Sequence, residues 1–237
     1  MLIHPQELVS HLTRLEDIER ASLRLVVQAL LDFRQTALEI FTAESDLAAD
    51  IGEDITREAL DKLGMSRIEQ RLFGKIDFKR ARYLFHPEYA IKQALFVDSK
   101  AEKIEGQNTA TLQTSQFSMS VRQMRSGEEV NVSGKLPPIL ELQGDSFITT
   151  TIFVKYNYRD QEGRHHLESM TVAALPNGLL QENYNPSPLD SIWLVGRNAP
   201  TLGEEFRVRL SFARLKKKAN WRVQRIPLPP GAFVWES

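Results

Sequence analysis

The longest regular pattern in the chain is helical and lies at its beginning. Within residues 5–42, apolar side chains recur with helical spacing in two neighbouring stripes, one through Leu15 and Ile18 and the other through Leu23 and Val26. An apolar surface of this width is unfavourable in water, so the helix must pack against a sheet or against another subunit. A second, shorter helix is predicted over residues 53–64, because Gly64 suits the position just after a helix C-terminus.

Strand patterns replace the helical spacing from residue 72 onwards. Residues 72–85 and 92–99 predict two strands joined by the turn segment HPEY, and residues 147–158 and 167–175 predict a hairpin. Between these pairs, residues 103–118 are polar and predict a helix that begins near Asn108.

The C-terminal third begins with a long segment rich in Pro, Gly and Asn over residues 174–205. Long loops in a compact domain usually carry function. A strand over 206–212, a short helix over 213–221 and an extended piece over 222–228 follow it. Together these elements predict an α+β fold, and we expect one domain that spans residues 1–237.

Composition excludes several classes of protein. The chain contains no cysteine, which excludes disulfides, thiolate metal sites and cysteine nucleophiles, and it contains no apolar run long enough to cross a membrane. We therefore expect a cytoplasmic protein.

Charge is unevenly distributed along the chain: residues 1–63 carry 13 acidic and 6 basic side chains, whereas residues 196–226 carry 9 basic and 2 acidic ones. Clustered basic charge is typical of a polyanion partner, although a solvated helix face would give the same count.

Two opposite charges end the strand of residues 92–99. Asp98 and Lys100 stand two residues apart and therefore face the same side of a strand. Strand pairing would bring Asp77 of the preceding segment beside Asp98, and two close carboxylates favour a divalent cation. Lys100 would then point into the same pocket, and Glu53 or Asp54 could supply a further acid.

The charges alone leave two interpretations open. An acid, a strand and an acid-x-Lys triplet are the pattern of metal-dependent phosphodiester cleavage. However, a second triplet, Asp77-Phe78-Lys79, shows that such spacing also arises by chance. The other interpretation is an intrastrand ion pair with a structural role.

The same residues resemble a known family. FGKIDFKRARYL followed by ALFVDSKAE is similar to the active site of PD-(D/E)XK nucleases, and the wider chain resembles the SfiI-type restriction endonucleases of that superfamily. Supporting stretches recur in family order from about residue 15 to residue 226: IERASLRLVVQAL, GEDITREAL, TLQTSQFSM, IFVKYNYRDQEGR, YNPSP and FRVRLSFARLKKKANWRVQ. Ile76 stands where the family motif has proline before its first acid.

The resemblance implies a fold, an activity and partners. It implies an α/β/α-like arrangement with a central mixed sheet flanked by helices, and a type II restriction endonuclease that makes Mg²⁺-dependent double-strand cuts and leaves 5′-phosphate ends. The family includes enzymes that recognise interrupted, G·C-rich palindromes. The implied partners are double-stranded DNA and further copies of the chain in a dimer or tetramer, with a DNA methyltransferase expected in the same host.

Site roles follow from the resemblance, position by position. Asp77 matches the first acid, Asp98 the second, Lys100 the lysine, and Glu53 an additional metal-site acid of some relatives. Arg207 and Arg209 are expected to read bases, since an arginine fork fits guanine; the alternative is that they bind phosphate or are solvated at the surface. Lys79 is expected to have a structural or phosphate-contact role. The remaining candidates are expected to contact the DNA backbone or to be merely solvent-exposed; they are Gln113, Lys216 and Arg222.

Three other functions remain possible from the sequence. A cytoplasmic scaffold that assembles through its long apolar helix would show no salt-sensitive affinity for DNA. A repair or junction-resolving nuclease of the same superfamily would cut by DNA structure rather than by sequence. A non-catalytic DNA-binding protein would carry the same carboxylates as structural groups and would bind DNA equally well in EDTA and in Mg²⁺.

Overall fold

The computed structural model of the chain describes residues 2–43, 48–68, 81–104, 108–162, 164–196 and 207–237. The helices in these ranges are α1 (Leu12–Ala43), α2 (Ala48–Lys62), α3 (Gln181–Tyr184) and α4 (Phe212–Lys218). The strands are β1 (Arg82–His86), β2 (Ile91–Lys103), β3 (Thr109–Leu112), β4 (Val121–Arg125), β5 (Glu128–Val132), β6 (Ile139–Leu142), β7 (Asp145–Gln161), β8 (Arg164–Leu175), β9 (Trp193–Val195), β10 (Val208–Ser211) and β11 (Val223–Pro227).

The first helical pattern is confirmed, with one interruption near its start. Pro5–Ser10 form a 3₁₀ turn, and α1 begins at Leu12. Both predicted stripes are buried: Leu15 and Ile18 lie in one apolar core, and Leu23 and Val26 in another. The pattern predicted this correctly because apolar periodicity reports the buried face directly.

The predicted start of α2 was wrong. The helix begins at Ala48 and contains Gly52 in its interior, whereas the sequence placed its start after that glycine. A Cβ atom at Gly52 would lie 3.0 Å from Cδ2 of Tyr156, so close packing explains a residue that normally weakens a helix. The predicted end is close to the observed one, and Gly64 adopts a left-handed conformation with φ +70°.

Within the described ranges, a six-stranded mixed sheet forms the centre of the fold. The strands lie in the order β1-β2-β7-β8-β11, and β6 pairs with the beginning of β7. Strands β2 and β7 are parallel, and the other neighbours are antiparallel. The predicted turn between β1 and β2 and the predicted β7–β8 hairpin are both confirmed.

The helix predicted to begin near Asn108, within the polar segment 103–118, was wrong. Strand β2 continues to Lys103, and β3 and a 3₁₀ turn at Thr114–Gln116 take the place of the helix. In β3, the half-buried Thr109 and Thr111 alternate with the buried Ala110 and Leu112, which is a strand pattern too short to recognise. Strand β3 pairs with β10, which also pairs with β9, and β4 pairs with β5 in a hairpin that the sequence did not predict.

Apolar cores cover both faces of the central sheet. Helices α1 and α2 pack on one face, where Leu30, Phe33 and Tyr156 are buried. Burial of a side chain of this size contributes about 1.5–3 kcal/mol. The other face packs against the small β3-β10-β9 sheet and α4, through residues such as Phe153 and Trp193. Among the described residues, the helices are all too short or too polar to cross a membrane.

Candidate active site

Strand β2 places Asp98 and Lys100 on one face of the sheet. In register, Asp98 lies opposite Phe153 and Lys100 lies opposite Lys155 of the parallel strand β7. Both side chains are half-buried, as expected at the margin of a core. Ser99, between them, is buried on the other face and donates a hydrogen bond to the Thr56 hydroxyl, 2.7 Å away. The predicted shared face is therefore present, and Ser99 links the strand to α2.

Gln116 contacts the Asp98 carboxylate. Its Nε2 donates a hydrogen bond to Oδ2 of Asp98, and its Oε1 accepts a hydrogen bond from the main-chain N–H of Gln113 at 2.6 Å. Gln116 was not predicted to have a role of its own, because the polar stretch that contains it was interpreted as one polar helix. Its position soon after the strand that carries Asp98 was the only available signal.

Lys100 belongs to a row of three charged side chains. Its Nζ lies 3.6 Å from Oε1 of Glu102, and the other oxygen of Glu102 lies 2.7 Å from Nζ of Lys155. Lys155 is fully buried and also donates a hydrogen bond to the carbonyl oxygen of Thr109 at 2.6 Å. Burial lowers the pKa of Lys155, and Glu102 opposes that shift. Glu102 and Lys155 were not predicted as site residues, although Lys155, a single charge inside the apolar stretch FITTTIFVKYNY, was a usable signal.

Two of the predicted residues, Asp77 and Lys79, lie outside the described residues. The proximity of Asp77 and Asp98, and the roles of both unplaced residues, therefore stay predictions.

Glu53 is exposed on α2, whose adjacent turn packs on strand β2. At Gly52, a Cβ atom would lie 3.6 Å from the main-chain nitrogen of Ala101. The hydroxyl groups of Thr56 and Tyr156 are hydrogen-bonded at 2.7 Å, and this contact fixes the helix on the sheet. Asp54, the alternative acid, forms an ion pair with Arg57 one helical turn away.

The candidate DNA-reading arginines lie on the small sheet. Arg209 is exposed on β10, and Arg207 is exposed immediately before this strand. Nη2 of Arg209 donates a hydrogen bond to Oγ1 of Thr109 at 3.1 Å, and the same threonine accepts a hydrogen bond from Lys155 through its carbonyl oxygen. The sheet that presents the arginines is thus in contact with the charged row beside Lys100.

One predicted DNA contact was wrong. Arg222 is fully buried, with Nη2 2.6 Å from Oε2 of Glu19 and 3.2 Å from Oε1 of Glu16. The guanidinium also packs against the rings of Tyr184 and Trp221, 4.4 Å from each centroid. A phosphate cannot reach this group, so its role is structural.

The other two predicted contacts lie near the surface. Lys216 is partly exposed and forms a 3.0 Å ion pair with Glu236. Gln113 is half-buried at the end of β3. The structure leaves their expected contact with DNA as a prediction.

Comparison with known proteins assigns the chain to a family. A family model described as type II restriction enzyme SfiI matches residues 15–226. The type II restriction enzyme SfiI of Streptomyces fimbriatus is 38% identical over 230 residues, which cover 91% of this chain and 85% of that protein.

Solved structures agree with this assignment. The crystal structure of tetrameric SfiI bound to cognate DNA superposes with a TM-score of 0.77 at 37% identity, over 91% of this chain and 85% of that one. The restriction endonuclease BglI bound to its recognition sequence also gives a TM-score of 0.77, over 95% of this chain and 94% of that one, but at 17% identity this likeness concerns the fold alone. The expected mixed sheet with flanking helices is confirmed, and the chain belongs to the SfiI family of type II restriction endonucleases.

Proposed function

We propose that this endonuclease hydrolyses both strands of duplex DNA at a specific, interrupted and G·C-rich palindrome. In this proposal Mg²⁺ is the cofactor, and the products carry 5′-phosphate and 3′-hydroxyl ends. The observation that supports the proposal most is the shared face of Asp98 and Lys100 on β2, from which a carboxylate and an amine both project at the margin of the core.

The donor groups suit a hard divalent cation. Asp98 offers carboxylate oxygens, and one of them accepts a hydrogen bond from Gln116, the kind of contact that orients a metal ligand. In the proposed site, Asp98 and Asp77 hold Mg²⁺, and Glu53 supplies a further carboxylate. Mg²⁺ held by these residues would supply charge that polarises the phosphate and makes water more acidic.

Lys100 has a different task. Negative charge builds on the phosphoryl and leaving oxygens during in-line attack by water, and an ammonium group beside them stabilises that charge. The Lys100 amine also carries hydrogen-bond donors that can orient the attacking water. Because its contact with Glu102 is 3.6 Å long, it is an ion pair rather than a hydrogen bond, and the donors of the amine are not consumed by it.

Sequence reading is assigned to the exposed face of the small sheet, at and just before its central strand β10. Arg207 and Arg209 can each present a planar fork to O6 and N7 of guanine, and a bidentate contact of this kind discriminates by about 1–3 kcal/mol. Lys79, Gln113 and Lys216 are assigned to the DNA backbone.

The solved SfiI relative is tetrameric and bound to cognate DNA. By analogy we propose that this chain acts as a homodimer or homotetramer. Light scattering of its DNA complex would measure the number of subunits.

Cleavage of plasmid DNA by the purified protein tests the proposal. We expect discrete fragments in Mg²⁺, none in EDTA, and end sequences that define one interrupted palindrome. Asp98→Asn should abolish cutting while leaving DNA binding intact, and Lys100→Met should do the same.

Lys92 and Asp145 serve as matched controls, because they form an ion pair of the same charge types away from the proposed site. Lys92 lies on β2, pairs with Asp145 at 2.6 Å, and is far along the strand from Asp98. Lys92→Met and Asp145→Asn should therefore cut at the normal rate. Normal cutting by Asp98→Asn would refute the site, and binding without any cutting by the wild type would identify a non-catalytic DNA-binding protein.

A further inference from the structure

We propose that Glu102 and Lys155 are positioning residues for the amine of Lys100. The inference rests on the proposed function, because it gives a task to two groups in the reaction that Lys100 is assigned to. Glu102 lies between the two amines, with Oε1 3.6 Å from Nζ of Lys100 and Oε2 2.7 Å from Nζ of Lys155. One carboxylate thus bridges a fixed cation and a functional one.

Lys155 is the fixed end of the row. It has no exposed side-chain surface, and its ammonium is held by Glu102 and by the carbonyl oxygen of Thr109, 2.6 Å away. A buried ion pair is often no more stable than apolar residues of the same size, so its presence is not explained by stability. Its strand faces α1 and α2 on one side and the small sheet on the other, and both sides are packed. Lys155 therefore has little freedom to move.

Glu102 transmits that fixed position to Lys100. Lys100 and Lys155 lie opposite each other in the parallel register of β2 and β7 and project to the same face. Neighbouring strands are about 4.8 Å apart, so the two lysine side chains start close together and their like charges repel each other. The carboxylate of Glu102 offsets the repulsion and holds the Lys100 amine at a defined place on the face of β2 that also carries Asp98. Without it, the flexible lysine side chain would move away from Lys155 and toward solvent.

Precise placement is what the reaction requires of this amine. A displacement of about 1 Å can cost roughly 100-fold in rate when a group must meet a reacting atom. Lys100 side-chain exposure is 38%, so the surrounding protein alone does not fix it. The contacts of Glu102 with Lys155 and Lys100 supply the additional restraint on the position of the Lys100 amine.

Variants at Glu102 and Lys155 test the inference. The set is Glu102→Gln, Lys155→Met and the double variant, with Glu88→Gln in the exposed turn before β2 as a matched control. Three quantities are measured for each: the unfolding midpoint, DNA affinity in EDTA, and the single-turnover cleavage rate of bound DNA in Mg²⁺. We expect Glu102→Gln to lower the cleavage rate about 10- to 100-fold, as removal of an orienting partner typically does, with no loss of DNA affinity.

The double variant separates positioning from folding. Glu102→Gln alone leaves Lys155 buried without its carboxylate and lowers the unfolding midpoint, whereas the double variant removes both charges and recovers the midpoint. If Glu102 positions Lys100, the double variant stays slow although it is stable. A double variant that cuts at the wild-type rate would overturn the inference, and so would wild-type cutting by Glu102→Gln. Failure of the wild type to cut any DNA would instead refute the proposed function.

Discussion

The side chain of Gln116 connects the carboxylate of Asp98 to the main chain of a 3₁₀ turn. Nε2 donates to Oδ2 of Asp98, while Oε1 accepts the N–H of Gln113 at 2.6 Å. Because the main-chain donor fixes which end of the amide is the oxygen, the NH₂ group must face the aspartate. The turn therefore determines the orientation of a proposed metal ligand.

Gln116→Ala should weaken the proposed metal site while leaving the fold intact. Partners that orient metal ligands typically contribute 10–100-fold to affinity or activity, so we expect the cleavage rate to fall by about that factor and the required Mg²⁺ concentration to rise. Single-turnover rates across a Mg²⁺ titration measure both effects. Gln35→Ala, at an exposed glutamine of α1, is the control. Wild-type rates at every Mg²⁺ concentration would contradict the prediction.

Gly52→Ala should destabilise the protein, although alanine is the better helix former. The new Cβ would lie 3.0 Å from the Tyr156 ring, whose hydroxyl is fixed by Thr56 and which stacks on Phe41 at a centroid distance of 5.6 Å. Overpacking costs about 1–3 kcal/mol, which exceeds the gain in helix propensity of about 1 kcal/mol.

Chemical denaturation measures this outcome. Glu58→Ala, on the exposed side of the same helix, should change the free energy of unfolding by less than about 0.5 kcal/mol. An increase in stability for Gly52→Ala would mean that the ring can move aside. Because Glu53 follows Gly52 directly, a displaced helix should also slow cleavage.

The sequence predicted those elements whose pattern is local. Apolar spacing located α1, because it reports the face that the helix buries. Two runs rich in β-branched and aromatic residues on either side of a turn segment located the β7–β8 hairpin. Strand β3 was missed because its four residues pair with β10, about 100 residues further along the chain. A short strand of this kind is fixed by its partner rather than by its own sequence.

The candidate site, like the fold, was predicted only where it depends on a local pattern. Spacing alone placed Asp98 and Lys100 on one face, since that follows from the geometry of any strand. Glu102 and Lys155 could not be connected, because their contact depends on the register between β2 and β7. Arg222 was misassigned because a count of basic residues does not reveal that Glu19, 203 residues away, neutralises it.

Arg222→Met should strongly lower the free energy of unfolding without changing the DNA affinity of the folded protein. Removing this arginine leaves Glu19 buried without its cation, which typically costs about 3–5 kcal/mol. Urea denaturation measures the loss, and DNA titrations at several salt concentrations measure the binding. A salt dependence smaller than that of the wild type would show a phosphate contact and contradict the structural role.

Arg209→Ala should impair sequence discrimination and leave stability nearly unchanged. The side chain is exposed, so the free energy of unfolding should change by less than about 0.5 kcal/mol. Discrimination should fall by about 1–3 kcal/mol at one base pair of the recognition sequence. Competition with single-substitution DNA sites measures this loss. Equal weakening on every sequence would reassign Arg209 to the phosphate backbone.

Asp61→Asn should lower stability at neutral pH but not in strong acid. Burial raises the pKa of Asp61, but hydrogen bonds from Arg82, at 2.7 Å, and from Arg67 outweigh it and hold the pKa below its ordinary value of 3.8. A lowered carboxyl pKa stabilises the folded state above 3.8, and this contribution is lost as the pH falls through the lowered value. Because the carboxylate is 42% exposed, solvent screening limits the effect to about 1 kcal/mol or less.

Urea denaturation of the wild type and Asp61→Asn between about pH 7 and pH 2 measures this contribution. The two free energies of unfolding should converge as the pH falls. The control Asp32→Asn, at an exposed site on α1, should match the wild type at neutral pH. A difference between Asp61→Asn and the wild type that stayed constant with pH would show that the carboxylate charge does not stabilise the contact between α2 and β1.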